Sequence, residues 1–108
     1  MPFANAWERD THYAKHGHEF GATTPVEYEQ MADMFMFDPV AASTHECFRP
    51  RGRDRLRFDF GAYFEGVACV SPEFLKTFFI VRSKVVKRHG GEAAYFAWDC
   101  GRVEGVDV

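Results

Sequence analysis

The sequence predicts an α+β domain in which two N-terminal helices pack on a small antiparallel β-sheet of about four strands. Up to residue 37, apolar side chains recur at helical spacing, whereas after residue 44 they alternate with polar ones or form short apolar runs. Short connections between the strand-like segments favour antiparallel pairing. With 108 residues, 46% of them hydrophobic, the chain can bury one core, so residues 1–108 are expected to form a single domain.

Two helices are predicted at the N-terminus. Residues 3–16 predict the first, and Gly17 is expected in the left-handed position that ends a helix. The second begins at residues 24–27, where a threonine cap precedes proline and is followed three residues later by glutamate. It is expected to end at Phe37, because Asp38-Pro39 follows. The apolar sides of the two helices are formed by Phe3, Ala6 and Trp7, and by Tyr28, Met31, Ala32, Met34 and Phe35.

Four strands are predicted in the second half of the chain. Residues 55–60 give the clearest signal, because charged residues alternate there with leucine and phenylalanine. Residues 93–100 predict a short helix or a last strand, and the helix is favoured. The predicted strands cover residues 44–48, 55–60, 64–70 and 75–81.

The net charge of −3 hides an uneven distribution. Residues 1–48 contain two basic and eight acidic side chains, which gives −6. Residues 49–88 contain ten basic and four acidic ones (+6), and residues 89–108 contain one and four (−3). A basic middle of this kind can bind a polyanion such as nucleic acid although the total charge is acidic.

Several classes of protein are not expected. No apolar run approaches the ~20 residues that cross a bilayer, so a membrane partner is not expected. The first residues lack the basic and apolar regions of a signal peptide. Cys47, Cys69 and Cys100 are odd in number and contain no CxxC pair, so three reduced thiols in a cytosolic protein are expected.

Three polar residues near the N-terminus are candidates for catalysis. On a helix, His12, Lys15 and His16 share one face, because residues three and four apart are neighbours. Imidazoles titrate near neutrality, so the cluster suits general acid–base chemistry. A solvated helix end explains it equally well. A zinc site is a third interpretation, and it would need a further ligand from His18, Glu19, His45 or His89.

Arginine occupies every second position from residue 49 to residue 57. In an extended segment, Arg49, Arg51, Arg53, Arg55 and Arg57 would project from one side and match phosphate oxygens. The alternative is a solvated edge that deters aggregation. Anion or RNA binding is favoured.

For two further features, taken alone, a structural explanation is favoured over a functional one. Thr77 lies in a predicted strand, where its hydroxyl could donate to a phosphate oxygen or simply favour strand structure. A second basic run contains Lys84, Lys87, Arg88 and His89, and it is either a solvated face or an extension of a phosphate-binding track.

Taken together, these motifs resemble a family of bacterial and phage toxin domains in the barnase–EndoU–colicin–RelE-like (BECR) ribonuclease superfamily. The first block is His12-x-x-Lys15-His16-Gly17-x-Glu19-Phe20-Gly21. The later blocks are Tyr28 with Ala32, Arg49-Pro50-x-Gly52, Asp54-x-x-Arg57-Phe58-Asp59 and Thr77-x-Phe79, so the resemblance covers roughly residues 10–80.

The resemblance implies metal-independent cleavage of RNA without a cofactor, by attack of the ribose 2′-hydroxyl. Transfer RNA is a common target of such toxins, which act in the bacterial cytoplasm after delivery by a secreted toxin or a phage and are neutralised by an immunity protein. The implied catalytic residues are His12, Lys15, His16, Arg57 and Thr77. The implied substrate-binding residues are Arg49, Arg51, Arg53, Arg55, Tyr63 and Phe79. The alternatives are a non-catalytic RNA-binding or phage accessory protein and a metal-dependent nuclease.

Overall fold

The computed structural model of the chain describes residues 2–50 and 52–102. Within these residues, a four-stranded antiparallel sheet of order β1-β2-β3-β4 carries helices on both faces. The helices are α1 (Ala6–His16), α2 (Pro25–Phe37), α3 (Ser83–Arg88) and α4 (Glu92–Cys100), with a 3-10 helix at Gly17–Phe20. The strands are β1 (Thr44–Phe48), β2 (Asp54–Asp59), β3 (Phe64–Val70) and β4 (Glu73–Ile80). The predicted α+β class and antiparallel four-stranded sheet are confirmed.

One face of the sheet is covered by α1 and α2. As predicted, Thr24 caps α2 and accepts a 3.1 Å hydrogen bond from the backbone N–H of Glu27. Tyr28 is fully buried against Phe78 of β4, and its hydroxyl donates to the Phe78 carbonyl oxygen. A Cβ on Gly66 would meet the Met36 sulfur at 2.5 Å, so only glycine lets α2 approach β3 this closely.

The other face is covered by α3 and α4. Leu56, Phe58 and Val67 of the sheet form a second core with Val86 of α3 and Tyr95 of α4. The short helix α3 was not predicted, whereas the favoured helix at residues 93–100 is confirmed as α4. None of the described helices is long and apolar enough to cross a bilayer.

The start of the first helix was predicted wrongly. α1 begins at Ala6 because Asn5 caps it by accepting a 2.8 Å hydrogen bond from the Glu8 backbone N–H. Phe3 lies before the helix, bridges to Leu75 of β4 and is 3% exposed. Trp7 and Met34 were expected on buried sides but are 70% and 60% exposed.

Gly17 is not the left-handed residue. Its φ is −55°, and the left-handed position after the 3-10 helix is Gly21, with φ of 70°. Glycine is needed at residue 17 for packing, because a Cβ there would lie 2.4 Å from Cδ1 of Tyr13.

The expectation of three reduced thiols was also wrong. Cys47 of β1 and Cys100, the last residue of α4, form a disulfide, and Cys69 is free and buried. The two bonded cysteines are 53 positions apart and meet because α4 packs over the β1–β2 side of the sheet. Their spacing in the sequence gave no signal of this.

Candidate active site

A cleft of about 400 Å³ opens along β4, where α1, the sheet and the α3–α4 region meet. Its polar lining comprises His16, Glu19, Glu65, Thr77, Arg82 and Arg102. Its apolar lining includes Val67, Phe79, Val81, Val85 and Trp98. The cleft therefore brings two of the predicted catalytic residues, His16 and Thr77, together with the predicted substrate-binding residue Phe79.

The His16 imidazole, at the C-terminal end of α1, is held by Glu19. His16 Nδ1 lies 2.8 Å from Glu19 Oε2, and Glu19 Oε1 accepts a 2.7 Å hydrogen bond from the Ile80 backbone N–H. Because a carboxylate only accepts hydrogen bonds, this contact assigns a ring proton to Nδ1, so Nε2 is the nitrogen left to accept a proton. An imidazole in this tautomer can serve as a general base.

The alternation of side chains along β3 and β4 places the other groups of the cleft. Thr77 pairs with Val67, and Phe79 pairs with Glu65, so these four side chains share the face of the sheet that is turned toward α3 and α4. His16 belongs to the opposite layer but reaches this face at the edge of β4, where its ring centroid lies 5.5 Å from that of Phe79. The cleft thus joins both layers.

Glu65 is the buried carboxyl group of the cleft, with 3% exposure. Its Oε1 accepts a 2.8 Å hydrogen bond from the Tyr95 hydroxyl. Burial, together with the hydrogen bond to Asp99 and its charge, raises the pKa of Glu65 well above its ordinary value. Asp99 Oδ2 has no other hydrogen-bond partner among the described residues, which fits a protonated Glu65 as its donor. A neutral carboxyl group can act as a general acid.

A series of ion pairs lies beside this carboxyl group. Lys76 Nζ is 2.9 Å from Asp54 Oδ2, which lies 3.8 Å from Arg49 Nη1. Arg49 Nη2 is 2.9 Å from Asp99 Oδ1, which also lies 3.1 Å from Arg102 Nη1. We call these five residues the buried ion chain. Because Arg49 is 3% exposed between two aspartates, it supports the site and is not placed to contact RNA.

His12 and Lys15 do not line the cleft. The His12 ring packs 5.3 Å from Phe3 and 6.5 Å from His16, and its Nδ1 is buried without a hydrogen-bond partner among the described residues. Burial lowers the pKa of His12, and the charges of His16 and Lys15 lower it further, against the opposing effect of Glu8. Lys15 is exposed. Of the three residues implied to be catalytic on α1, only His16 lines the cleft, so the implied catalytic parts of His12 and Lys15 do not match their positions.

Arg57 lies on the opposite face of the sheet from Thr77. It pairs with Gly66, which pairs with Phe78, and this row faces α2. Arg57 Nη1 donates to the carbonyl oxygens of Phe35 and Asp38 at 2.9 and 2.7 Å, and Nε donates to Glu46 at 2.7 Å. Arg57 therefore stabilises the C-terminal end of α2 and is remote from the cleft. The catalytic part that the resemblance implies for Arg57 does not match this position, because Arg57 does not line the cleft with His16 and Thr77.

The rest of the arginine row does not form one surface either. Arg55 also faces α2, where it donates to the Met36 carbonyl oxygen at 2.6 Å and lies over the Phe37 ring at 4.6 Å. Arg53 is exposed in the β1–β2 connection and donates to the Ser71 carbonyl oxygen at 2.8 Å. Arg51 lies outside the described residues. The row fails as a single anion site because only residues 55 and 57 lie in β2.

Tyr63 is also outside the cleft lining. It lies in the β2–β3 connection at φ 62°, and its hydroxyl donates a 2.9 Å hydrogen bond to Glu92 Oε1. This hydrogen bond raises the pKa of Tyr63. The residue therefore joins that connection to the start of α4.

Four residues that line the cleft were not among the predicted catalytic or substrate-binding residues: Glu19, Glu65, Arg82 and Arg102. Glu65 did give a signal, because it is a lone carboxyl group in the otherwise apolar segment Phe64–Val70. Arg82 and Arg102 gave none, since their positions depend on how α3 and α4 pack.

Comparison of the chain with models of known protein families and with curated proteins gives no match. The resemblance to BECR toxins therefore rests on the motifs above. Among residues 2–50 and 52–102, no group of three His, Cys, Asp or Glu side chains is placed to hold a metal ion.

Proposed function

We propose that the protein is a metal-independent endoribonuclease with its active site in the cleft along β4. The observation that carries the proposal is the His16 imidazole, fixed by Glu19 in a cleft that also contains Thr77 and two arginines. Cleavage of RNA by its own 2′-hydroxyl needs a base, an acid and donors to the phosphate oxygens, and the cleft contains a candidate for each.

In the proposed reaction, His16 Nε2 takes the proton from the ribose 2′-hydroxyl, and the 2′-oxygen forms a bond to the adjacent phosphorus. The bond from phosphorus to the 5′-oxygen breaks, and Glu65 transfers to that oxygen the proton that it otherwise donates to Asp99, which leaves Glu65 as a carboxylate. Thr77, Arg82 and Arg102 donate hydrogen bonds to the non-bridging oxygens, on which negative charge builds. The products are a 2′,3′-cyclic phosphate and a 5′-hydroxyl end.

This assignment differs from the one implied by the motifs. Arg82 and Arg102 take the part expected of Arg57, because they line the cleft and Arg57 does not. Glu65 takes the part expected of His12 or Lys15 as the acid. His16 and Thr77 keep their expected parts.

Cleavage of RNA in EDTA, compared with DNA of the same sequence, tests the proposal. We expect RNA to be cut to cyclic phosphate ends and DNA, which lacks the 2′-hydroxyl, to stay intact. His16→Ala should lower the rate by roughly 10²–10⁴-fold. His18→Ala is the matched control, because His18 is exposed two residues away and does not line the cleft. Equal cutting of RNA and DNA would contradict the mechanism, and RNA binding without cleavage would favour a non-catalytic RNA-binding or phage accessory protein.

The resemblance extends the proposal to a toxin that acts on RNA in the bacterial cytoplasm and is neutralised by an immunity protein. Induction of the chain in a bacterial host should then stop growth, whereas the His16→Ala variant should be tolerated. Equal growth arrest by both proteins would argue against toxicity through cleavage.

A further inference from the structure

The short helix α3 and its N-cap residue concentrate cations that have no ionic partner among the described residues. Arg82, Lys84, Lys87 and Arg88 are exposed, and none of them forms an ion pair or side-chain hydrogen bond with a described residue. In contrast, six other cations contact a carboxylate: Arg9, Arg49, Arg55, Arg57, Lys76 and Arg102. Like charges this close repel each other, so an anion bound along α3 would relieve a repulsion that residues 2–50 and 52–102 do not offset.

This basic surface is continuous with the cleft. Arg82 and Val85 both line the cleft, and Arg88 follows Val85 by three residues. Lys84 and Arg88 are four residues apart, so they lie on one side of α3. The opposite side is occupied by Val86, which is 1% exposed in the second core. The cations therefore extend outward from the cleft and do not point into the core.

An exposed aromatic ring lies at the same end of the cleft. Trp98 of α4 lines the cleft with 47% of its surface exposed. His89, which follows the last residue of α3, lies 4.2 Å from the Trp98 ring, and the Arg102 guanidinium lies 4.9 Å from it. Aromatic and guanidinium planes beside a basic track are typical of surfaces that bind unpaired bases.

We propose that the α3 surface, defined as Arg82, Lys84, Lys87 and Arg88, binds the phosphates of a single-stranded RNA segment adjoining the cleaved bond. This inference rests on the proposed function for the identity of the ligand. The cleft holds the reacting phosphate, and the strand continues over α3 with its bases free to meet the Trp98 region. A solvated surface with no ligand is the opposing interpretation.

The test compares two variants of equal net charge: Lys84→Ala/Arg88→Ala, and Arg9→Asp as the control, which changes the net charge by the same two units. Arg9 lies in α1 and does not line the cleft. Binding of a twelve-nucleotide 2′-O-methyl RNA is measured by fluorescence anisotropy across salt concentrations, because this strand has no free 2′-hydroxyl and cannot be cleaved. Circular dichroism checks that both variants are folded.

The α3 variant should lose about 1.4 from the slope of log affinity against log salt, since each single-strand phosphate contact contributes roughly 0.7. At 0.1 M salt, a slope lower by 1.4 corresponds to an affinity loss on the order of 25-fold, with 1 M salt as the reference concentration. The control should bind like the wild type. Equal losses in the two variants, or no loss in either, would overturn the inference, as would equally tight binding of duplex RNA by the wild type.

Failure of this inference is distinguishable from failure of the proposed function. Tight, α3-dependent binding without cleavage of ordinary RNA would leave the surface standing and remove the nuclease. If cleavage depends on His16 but the α3 substitutions leave it unchanged for long strands and for a dinucleotide alike, the nuclease would stand and the α3 surface would be rejected.

Discussion

Replacing Glu65 by glutamine tests the central electrostatic feature of the cleft. Glutamine has nearly the shape of a protonated glutamic acid, can donate to Asp99 and can accept from the Tyr95 hydroxyl. It differs in having no proton to give and no charge to gain. The substitution should therefore preserve the buried contacts while removing both the titration and the proposed general acid.

The expected effect on stability depends on pH. The ordinary carboxyl pKa is 4.5, and the pKa of Glu65 in the folded protein is well above it. Between these two values, the folded protein holds one proton more than the unfolded chain, so the free energy of unfolding falls as pH rises. The loss is up to about 1.4 kcal/mol per pH unit for a single group. From pH 5 to pH 7, the wild type should thus lose up to roughly 2.7 kcal/mol that the variant keeps.

Thermal unfolding followed by circular dichroism at pH 5, 6 and 7 measures this difference. At roughly 4 °C per kcal/mol for a domain of this size, the gap between the two melting temperatures should change by up to about 10 °C across the range, in favour of the variant at pH 7. Glu73→Gln is the control, because Glu73 is exposed at the start of β4, and its curve should parallel that of the wild type. Parallel curves for Glu65→Gln and wild type would show that Glu65 is ionised in the fold and would refute its assignment as the acid.

Three further predictions follow from single contacts. Glu19→Gln should lower kcat in the RNA assay by roughly 10²-fold. The amide oxygen would accept from the Ile80 N–H, so the NH₂ group would face His16 Nδ1 and disfavour the tautomer that has its proton there. An unchanged kcat would contradict the role of Glu19. Arg57→Ala should destabilise the domain by about 2–4 kcal/mol in urea unfolding, because two carbonyl oxygens lose a charged donor. The kcat of the folded variant should equal that of the wild type, and a lower kcat would show that Arg57 takes part in catalysis. Cys47→Ser/Cys100→Ser should cost about 4 kcal/mol in the same assay, as expected for closing a loop of 53 residues, and Cys69→Ser serves as a control that leaves the bond intact.

The regular elements could be predicted because their signals are local. The α2 helix carries its own cap, proline and terminator, and β3 was predicted at its observed bounds because an apolar run lies between turn residues. The arginine row led to a wrong prediction of one anion-binding surface, because its alternation is also only a local signal. Alternation correctly placed Arg55 and Arg57 on one face, but no local signal showed that this face is covered by α2. The α3–α4 wall of the cleft could not be predicted, because Arg82, Trp98 and Arg102 are brought there by packing around Val86 and Tyr95.

The proposed acid has a property that connects binding to catalysis. The buried ion chain contains three cations and two anions, so a neutral Glu65 leaves one positive charge in excess beside the cleft. A phosphodiester bound next to Arg82 and Arg102 adds a negative charge near Glu65, and a nearby negative charge disfavours ionisation of a carboxyl group. Bound substrate would therefore raise the pKa of Glu65 further and hold the acid in its reactive form. The basic limb of the pH profile should then lie at higher pH for kcat, which reports the complex, than for kcat/KM, which reports the free enzyme. Coincident basic limbs would mean that the group giving up the proton does not sense the phosphate, and Glu65 could not be the acid.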